Sequence, residues 1–333
     1  MKKKLISLLL VLTFLLTLIC GCTKNKTNNG LKTIILNEVA HSIFYAPQYV
    51  AIENGYFKEE GLELKLVNGA GADNVMTALV SGNADIGFMG SESSVYIYNE
   101  GATDYAVNFA QLTQRAGNFL VGRESVDNFK WSDLKGCTIL GGRKGGMPQM
   151  VFEYILKQNN IDPLKDLDII QNIDFGLTAG SFATGTGDYT VEFEPFATSL
   201  ETEGKGVVIA SLGEDSGYVP YTAYCVRQSY LKSHPEIIQS FTNAIQKGLK
   251  YVNTHTSEEI AKVIKPQFKE TDIESIAKIV DRYKAQDTWK TDTVFEEDSY
   301  NLLINILKSS GVIETAPAYN KIITTVYSEK AKK

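Results

Sequence analysis

Between residues 33 and 113, short β-rich runs alternate with helix-patterned stretches, and few architectures accommodate that rhythm. A β-rich run at 33–36 precedes a helical stretch at 46–54, which carries Pro47 in its first turn and Gly55 at its exit. Leu62, Leu64 and Leu66 then alternate with Glu63 and Lys65, the pattern of a half-buried strand. A helix follows at 73–81, with Val75, Met76, Leu79 and Val80 on one face and Gly82 as its stop. A strand at 85–89, a helix opening after Gly90 and a strand at 105–113 complete the series. Repeated βα units of this kind imply a mainly parallel sheet with helices packed on it.

The rhythm restarts after Arg123: a turn at 131–134, a strand at 137–141, a glycine-rich loop at 142–146, a helix at 147–159 containing Pro148, and a strand at 167–171. Beyond a strand at 222–227 the chain reads as helical, at 235–252, 257–264, 272–283 and 296–309, with apolar residues spaced by three and four. No Pro-rich linker, charge block or repeat separates two parts, although the length favours two domains.

The N-terminus has its own logic. Lys2, Lys3 and Lys4 precede an apolar run at 5–19, the layout of a secretory leader. The run is shorter than the roughly 20 residues a membrane-spanning helix needs. It ends in Ile19-Cys20-Gly21-Cys22, which resembles a bacterial lipobox. That resemblance implies cleavage after residue 21 and acylation of Cys22, with Cys20 a departure from the commoner small residues. Ordinary cleavage with a soluble product is the alternative. Residues 22–30 are polar, too poor in apolar surface to fold, and read as a flexible tether.

Loss of three lysines would leave 30 basic against 39 acidic side chains, net −9. No basic stripe remains to neutralise phosphates, which argues against nucleic acid as a partner. Past the leader only Cys137 and Cys225 remain, so there is no disulfide framework. They read as buried free thiols, with pairing as the other possibility.

Tyr45-Ala46-Pro47-Gln48-Tyr49-Val50-Ala51, Asn54-Gly55-Tyr56-Phe57 and Glu60-Gly61-Leu62 together resemble one family: the nitrate/sulfonate/taurine and thiamine-pyrimidine-precursor binding proteins. The similarity continues at 79–87, 133–136, 193–197 and 241–248, over most of the chain. It implies an α/β, two-lobed type II periplasmic-binding-protein fold, each lobe a mainly parallel sheet flanked by helices. Lobe one would be 31–121 plus 227–333 and lobe two 122–226, with a two-strand hinge near 120–123 and 224–227. The implied role is a monomeric substrate-binding lipoprotein of an ABC transporter, on the outer face of the cell membrane. Its partners would be a small-molecule ligand, permease and ATPase subunits, and membrane lipid through Cys22.

Open α/β sheets bind ligands beyond the carboxyl ends of their strands. After the first strand come His41, Ser42 and Tyr45, which also suit loop bonding or helix-start packing. Next come Gly90, Ser91 and Glu92, where glycine lets backbone approach a ligand and the helix start offers free N–H groups. A carboxylate there disfavours a plain anion and suits N–H donors, although Glu92 also complements a helix dipole. Gln111 and Thr113 share one strand face, and Arg115 could hold a carboxylate or bridge lobes.

In the second half, Arg143, Lys144, Gly145 and Gly146 form a glycine-rich entry to a helix without the P-loop or dinucleotide spacing. Gly185, Thr186 and Asp188 form another, followed by Glu192 and Glu194. Tyr221 stands near the second crossover. These residues favour a polar organic ligand, a thiamine-pathway pyrimidine or similar heterocycle, over a sulfonate, taurine or nitrate. His41, His234 and His255 lack metal-ligand spacing, and no GxSxG or HExxH run is present. The expectation is a binding protein without metal or cofactor rather than an enzyme, with a non-transport surface sensor as the third reading.

Overall fold

The computed structural model describes residues 30–333 apart from 174 and 175; the leader, Cys22 and most of the tether lie outside the described residues. Among the described residues, ten strands form two five-stranded sheets. The first sheet contains β1 (Lys32–Glu38), β2 (Leu62–Asn68), β3 (Ile86–Gly90), β4 (Ala106–Thr113) and β10 (Thr222–Arg227), in the order β2-β1-β3-β10-β4. The second contains β5 (Asn118–Gly122), β6 (Thr138–Leu140), β7 (Asp168–Ile170), β8 (Tyr189–Phe193) and β9 (Val207–Ser211), in the order β7-β6-β8-β5-β9. The two orders are the same pattern.

Both sheets are mixed. β1 runs parallel to β3, whereas β10 is antiparallel to both β3 and β4. β6 runs parallel to β7 and β8, whereas β5 is antiparallel to β8 and β9. Each sheet thus takes in one strand that has just arrived from the other.

That exchange places the crossings between sheets outside the strands expected to form them. A strand belongs to the sheet that satisfies its backbone hydrogen bonds, which places β5 in the second sheet and β10 in the first. The chain therefore crosses between sheets at 114–117 and 212–221, not at 120–123 and 224–227. The C-terminal helices are not confined to the first half either. Helix Glu297–Ser309 packs on helix Met147–Gln158, and Lys157 Nζ donates to the Ser309 carbonyl at 2.6 Å. Both sheets lie within a single compact unit, 33–333.

The core of the first half is aromatic. Phe88 stacks on Tyr224 at 4.2 Å, Tyr45 meets Phe88 edge-on at 4.5 Å, and Phe241 meets Tyr224 at 5.0 Å; Phe88, Tyr224 and Phe241 are fully buried. Phe241 comes from helix Pro235–Thr254, which crosses helix Ala46–Glu53 at Gly248. A β-carbon there would stand 2.2 Å from the Pro47 carbonyl oxygen. Gly248→Ala is therefore expected to destabilise by about 1–3 kcal/mol, overpacking outweighing the helix-propensity gain. Urea unfolding checks this, and an unchanged midpoint would contradict it.

Candidate ligand-binding site

Strand directions decide which loops meet. β3 and β4 run the same way and β10 opposes both, so Gly90, Thr113 and Thr222 lie side by side at one end of the first sheet. In the second sheet Asn118 pairs with Phe193, and Ser211 lies beside Phe119, so one end collects Asn118, Phe193 and Ser211. Four links join these two ends. Ser42 Oγ donates to the Glu194 carbonyl at 2.7 Å, and Tyr96 O–H donates to the Gly145 carbonyl at 3.3 Å. Arg143 pairs with Asp73 at 2.6 Å, and Phe44 packs against Phe193 at 5.5 Å.

Of the residues after β1, His41 is committed elsewhere. Its ring nitrogens face two acceptors, Glu38 Oε1 at 2.8 Å and the Gln267 carbonyl at 3.0 Å, and the ring stacks on Phe268 at 4.8 Å. The bond to Glu38 raises its pKa, against desolvation. Ser42 is occupied too, since its hydroxyl also accepts from Phe44 N–H. Tyr45 is buried in the junction, its phenol pushed well up by desolvation and by the charges of Glu38 and Glu92.

Glu92 stands apart. It opens helix Glu92–Asn99, is 3% exposed, and its Oε2 has no hydrogen-bond partner. Its carboxylate folds back over Gly90, where a β-carbon would come within 2.1 Å of it. Burial raises its pKa to about 8. Its charge acts on three phenols from three places: Tyr45, Tyr96 and Tyr221, each raised first by desolvation. Ser91 meanwhile bonds the Pro220 carbonyl.

Further buried polar atoms lack partners at the same ends of the sheets and at the crossovers between them: Gln111 Oε1, Asn118 Nδ2, Asn37 Oδ1, Arg115 Nε and Ser216 Oγ. Gln111 Nε2 donates to the Thr113 carbonyl at 3.0 Å, leaving Oε1 free. Asn118 accepts from Tyr221 O–H at 2.6 Å, leaving Nδ2 free. Thr113 is consumed by Thr222, hydroxyl to hydroxyl at 2.5 Å. Arg115 braces the crossovers, donating to the Gly213 carbonyl at 3.0 Å with its guanidinium over the Tyr218 ring.

The glycine-rich loop meets the first half as a contact surface. Gly145 N–H donates to Gln149 Oε1 at 2.8 Å, and Gln149 in turn bonds Glu153. Gly146 caps the helix that follows, Arg143 is spent on Asp73, and Lys144 is exposed.

Three expected residues lie elsewhere. Gly185, Thr186 and Asp188 precede β8, which runs parallel to β6, so they sit at the end of the second sheet away from Gly141. Asp188 accepts there from Thr138 N–H at 2.8 Å, and Arg123 wraps the turn through the Thr186 and Gly187 carbonyls.

Glu192 is buried inside the second half, accepting from Thr190 at 2.6 Å and Thr178 at 3.1 Å, with its pKa raised to about 7 by burial. Glu194 is fully buried beside Arg282. Cys137 and Cys225 are both free, in different halves. Asn118 and Tyr96 escaped the sequence reading, although a polar residue heading the apolar run 119–121 was a usable signal for Asn118.

The described residues hold no group of three His, Cys, Asp or Glu side chains placed to bind a metal, and no helix among them is long and apolar enough to cross a membrane.

The sequence model of a family described as "NMT1/THI5 like" matches residues 43–259. The chain is 45% identical over 317 residues to YtlA of Bacillus subtilis (strain 168), named as a binding protein, covering 95% of this chain and 94% of that one. It is 24% identical over 270 residues, 77% of each chain, to the formylaminopyrimidine-binding protein of Halalkalibacterium halodurans. It is also 23% identical over 220 residues, 63% of each chain, to a 4-amino-5-hydroxymethyl-2-methylpyrimidine phosphate synthase of Aspergillus parasiticus. Among solved structures, the ligand-binding component of an ABC-type import system from Staphylococcus aureus has a TM-score of 0.73 at 15% identity, covering 90% of this chain and 99% of that one. That likeness is one of fold.

Proposed function

The chain belongs to the NMT1/THI5-like family, and on that premise we propose that it is the solute-binding component of an ABC importer, anchored outside the cell through Cys22. In this reading it captures a small polar organic molecule with N–H donors between its two sheets and passes it on unchanged. A nitrogen heterocycle, such as a thiamine-pathway pyrimidine, suits the site better than a sulfonate, taurine or nitrate. One observation carries this choice: the buried Glu92 carboxylate whose Oε2 lacks a partner. A ligand with N–H donors can pair with that oxygen whether or not the carboxyl is ionised, whereas an anion is repelled by its ionised form.

Capture rather than catalysis is supported by how the other acids are used. Glu38, Glu192 and Glu194 are satisfied by neighbours within the fold. The relative named as a synthase gives the opposing case a concrete form, namely chemical change of the pyrimidine.

A thermal-shift panel tests the reading. Formylaminopyrimidine or hydroxymethylpyrimidine at about 100 times its dissociation constant should stabilise by about 2.7 kcal/mol, a rise of a few degrees. The pyrimidine recovered afterwards should be chemically unaltered. A shift with taurine or nitrate alone, or recovery of a converted pyrimidine, would overturn the proposal.

A further inference from the structure

Resting on the reading of this junction as a ligand site, the charge of the ligand follows from which polar groups the fold leaves unused. Of the buried atoms there without partners, Glu92 Oε2, Gln111 Oε1 and Asn37 Oδ1 accept, Asn118 Nδ2 and Arg115 Nε donate, and Ser216 Oγ does either. The site therefore asks more for donors than for acceptors. The guanidinium groups of the junction are turned to other partners: Arg143 to Asp73, Arg282 to Glu194 and Glu201, and Arg115 to the Gly213 carbonyl and the Tyr218 ring, with its Nε left unpaired. Nothing inside the fold neutralises Glu92 at Oε2.

A buried carboxyl has two stable conditions, protonated or paired with a cation. Its surroundings favour the second once a ligand arrives. Glu92 lies at the N-terminus of an eight-residue helix, where the backbone dipole favours negative charge. The titratable groups that face it are phenols: Tyr45 from the loop after β1, Tyr96 from its own helix and Tyr221 from the second crossover. Burial keeps all three neutral, so none adds a negative charge beside Glu92, and a phenol has no positive charge to pair with it.

We infer that the ligand is held as an organic cation, a protonated amine or amidine, its charge meeting the buried, unpartnered Glu92 carboxylate. Empty protein carries the proton on Glu92, and binding exchanges that proton for the ligand's charge. A neutral amine or amidine reaches the same bound state by accepting the Glu92 proton itself. Atoms and charge balance either way: a permanent cation releases one proton to solvent, and a neutral base releases none.

Calorimetric titration of the full chain at pH 7 tests this with three probes of one shape, benzamidinium, benzamide and benzoate, alongside choline, taurine and hydroxymethylpyrimidine. The expected result is binding by benzamidinium or choline, with benzamide and benzoate at least about tenfold weaker than benzamidinium. Heats in two buffers of different ionisation enthalpy should then report about one proton released per bound cation. Glu92→Gln should weaken the cation about 10–100-fold while still unfolding cooperatively.

The inference is overturned if neither cation binds, if a neutral or anionic probe binds more tightly than both, or if Glu92→Gln leaves the cation's affinity unchanged. Hydroxymethylpyrimidine binding equally to both proteins would overturn the cation while leaving the donor-bearing ligand standing. Taurine as the tightest probe would remove both.

Discussion

Arg282→Met should lower the unfolding free energy by about 3–5 kcal/mol, the usual result of stripping one partner from a buried ion pair. Glu194 is fully buried, and Arg282 Nη1 donates to its Oε1 at 2.5 Å. Its Oε2 accepts from Thr198 N–H at 2.9 Å, so the carboxylate is held on both sides. Arg282 also donates to Glu201 Oε2 at 2.8 Å, and Glu201 is held below the usual carboxylate range by that guanidinium, against its desolvation. Without Arg282 the Glu194 carboxylate would remain in the interior with its Oε1 stripped of the guanidinium donor.

The control follows from the same physics. Glu194→Gln combined with Arg282→Met removes both charges and should recover much of the loss, because a neutral amide tolerates burial. Urea unfolding of the single and double variants is the measurement. A single-variant loss below about 1 kcal/mol would mean that the pair behaves as a surface pair. The position adds a functional consequence, since the Glu194 carbonyl receives the Ser42 hydroxyl, a bond from one half to the other.

What the sequence made legible, and what it hid, has a common cause. The βα rhythm of residues 33–113 was readable because its period is local: Leu62, Leu64 and Leu66 declare a strand among themselves. Strands β8 and β9 and helices Thr178–Ala183 and Phe196–Thr202 are short and declare little. The positions of the two crossings between sheets were out of reach, because sheet membership depends on hydrogen bonds between β10 and strands more than 100 residues earlier.

Site residues divide along the same line. Glu92 could be picked from the sequence because a glycine and a helix start surround it. Gly185, Thr186 and Asp188 have the same local look, yet they precede their strand instead of following it, and that distinction needs the direction of β8. Glu194 resembled a ligand-facing acid for want of any sign of Arg282, 88 residues on. His41 likewise hid its partner, the Gln267 carbonyl.

Stability of the empty protein should fall as pH rises from about 5 to about 8.5, with Glu92 the largest contributor. Folded Glu92 titrates near 8 because burial penalises its charge, against a reference of 4.5. Between those values the folded state keeps a proton that the unfolded chain releases. The unfolded state thus binds fewer protons, and the slope of unfolding free energy against pH is negative. This stabilisation is complete below about 4.5 and is lost by about 8. At 1.36 kcal/mol per pKa unit, the Glu92 contribution is on the order of 5 kcal/mol.

Glu192, raised to about 7 by burial, acts in the same direction over a narrower range. So does His41, whose raised pKa makes its stabilisation present below 6.5 and lost as pH climbs through the folded value. Carboxylates held low, such as Glu201 and Asp73, lose their contribution only in more acidic solution, so they do not reverse the trend in this window. Glu92→Gln should therefore flatten the profile and leave the variant more stable than the parent at pH 8.5, by a few kcal/mol, with the two converging near pH 5. Urea midpoints at half-unit steps decide the matter. A parent protein that gains stability across this range, or a variant whose profile parallels it, would show that Glu92 is solvated or already paired. The carboxylate that selects the ligand would then have to be sought elsewhere in the junction.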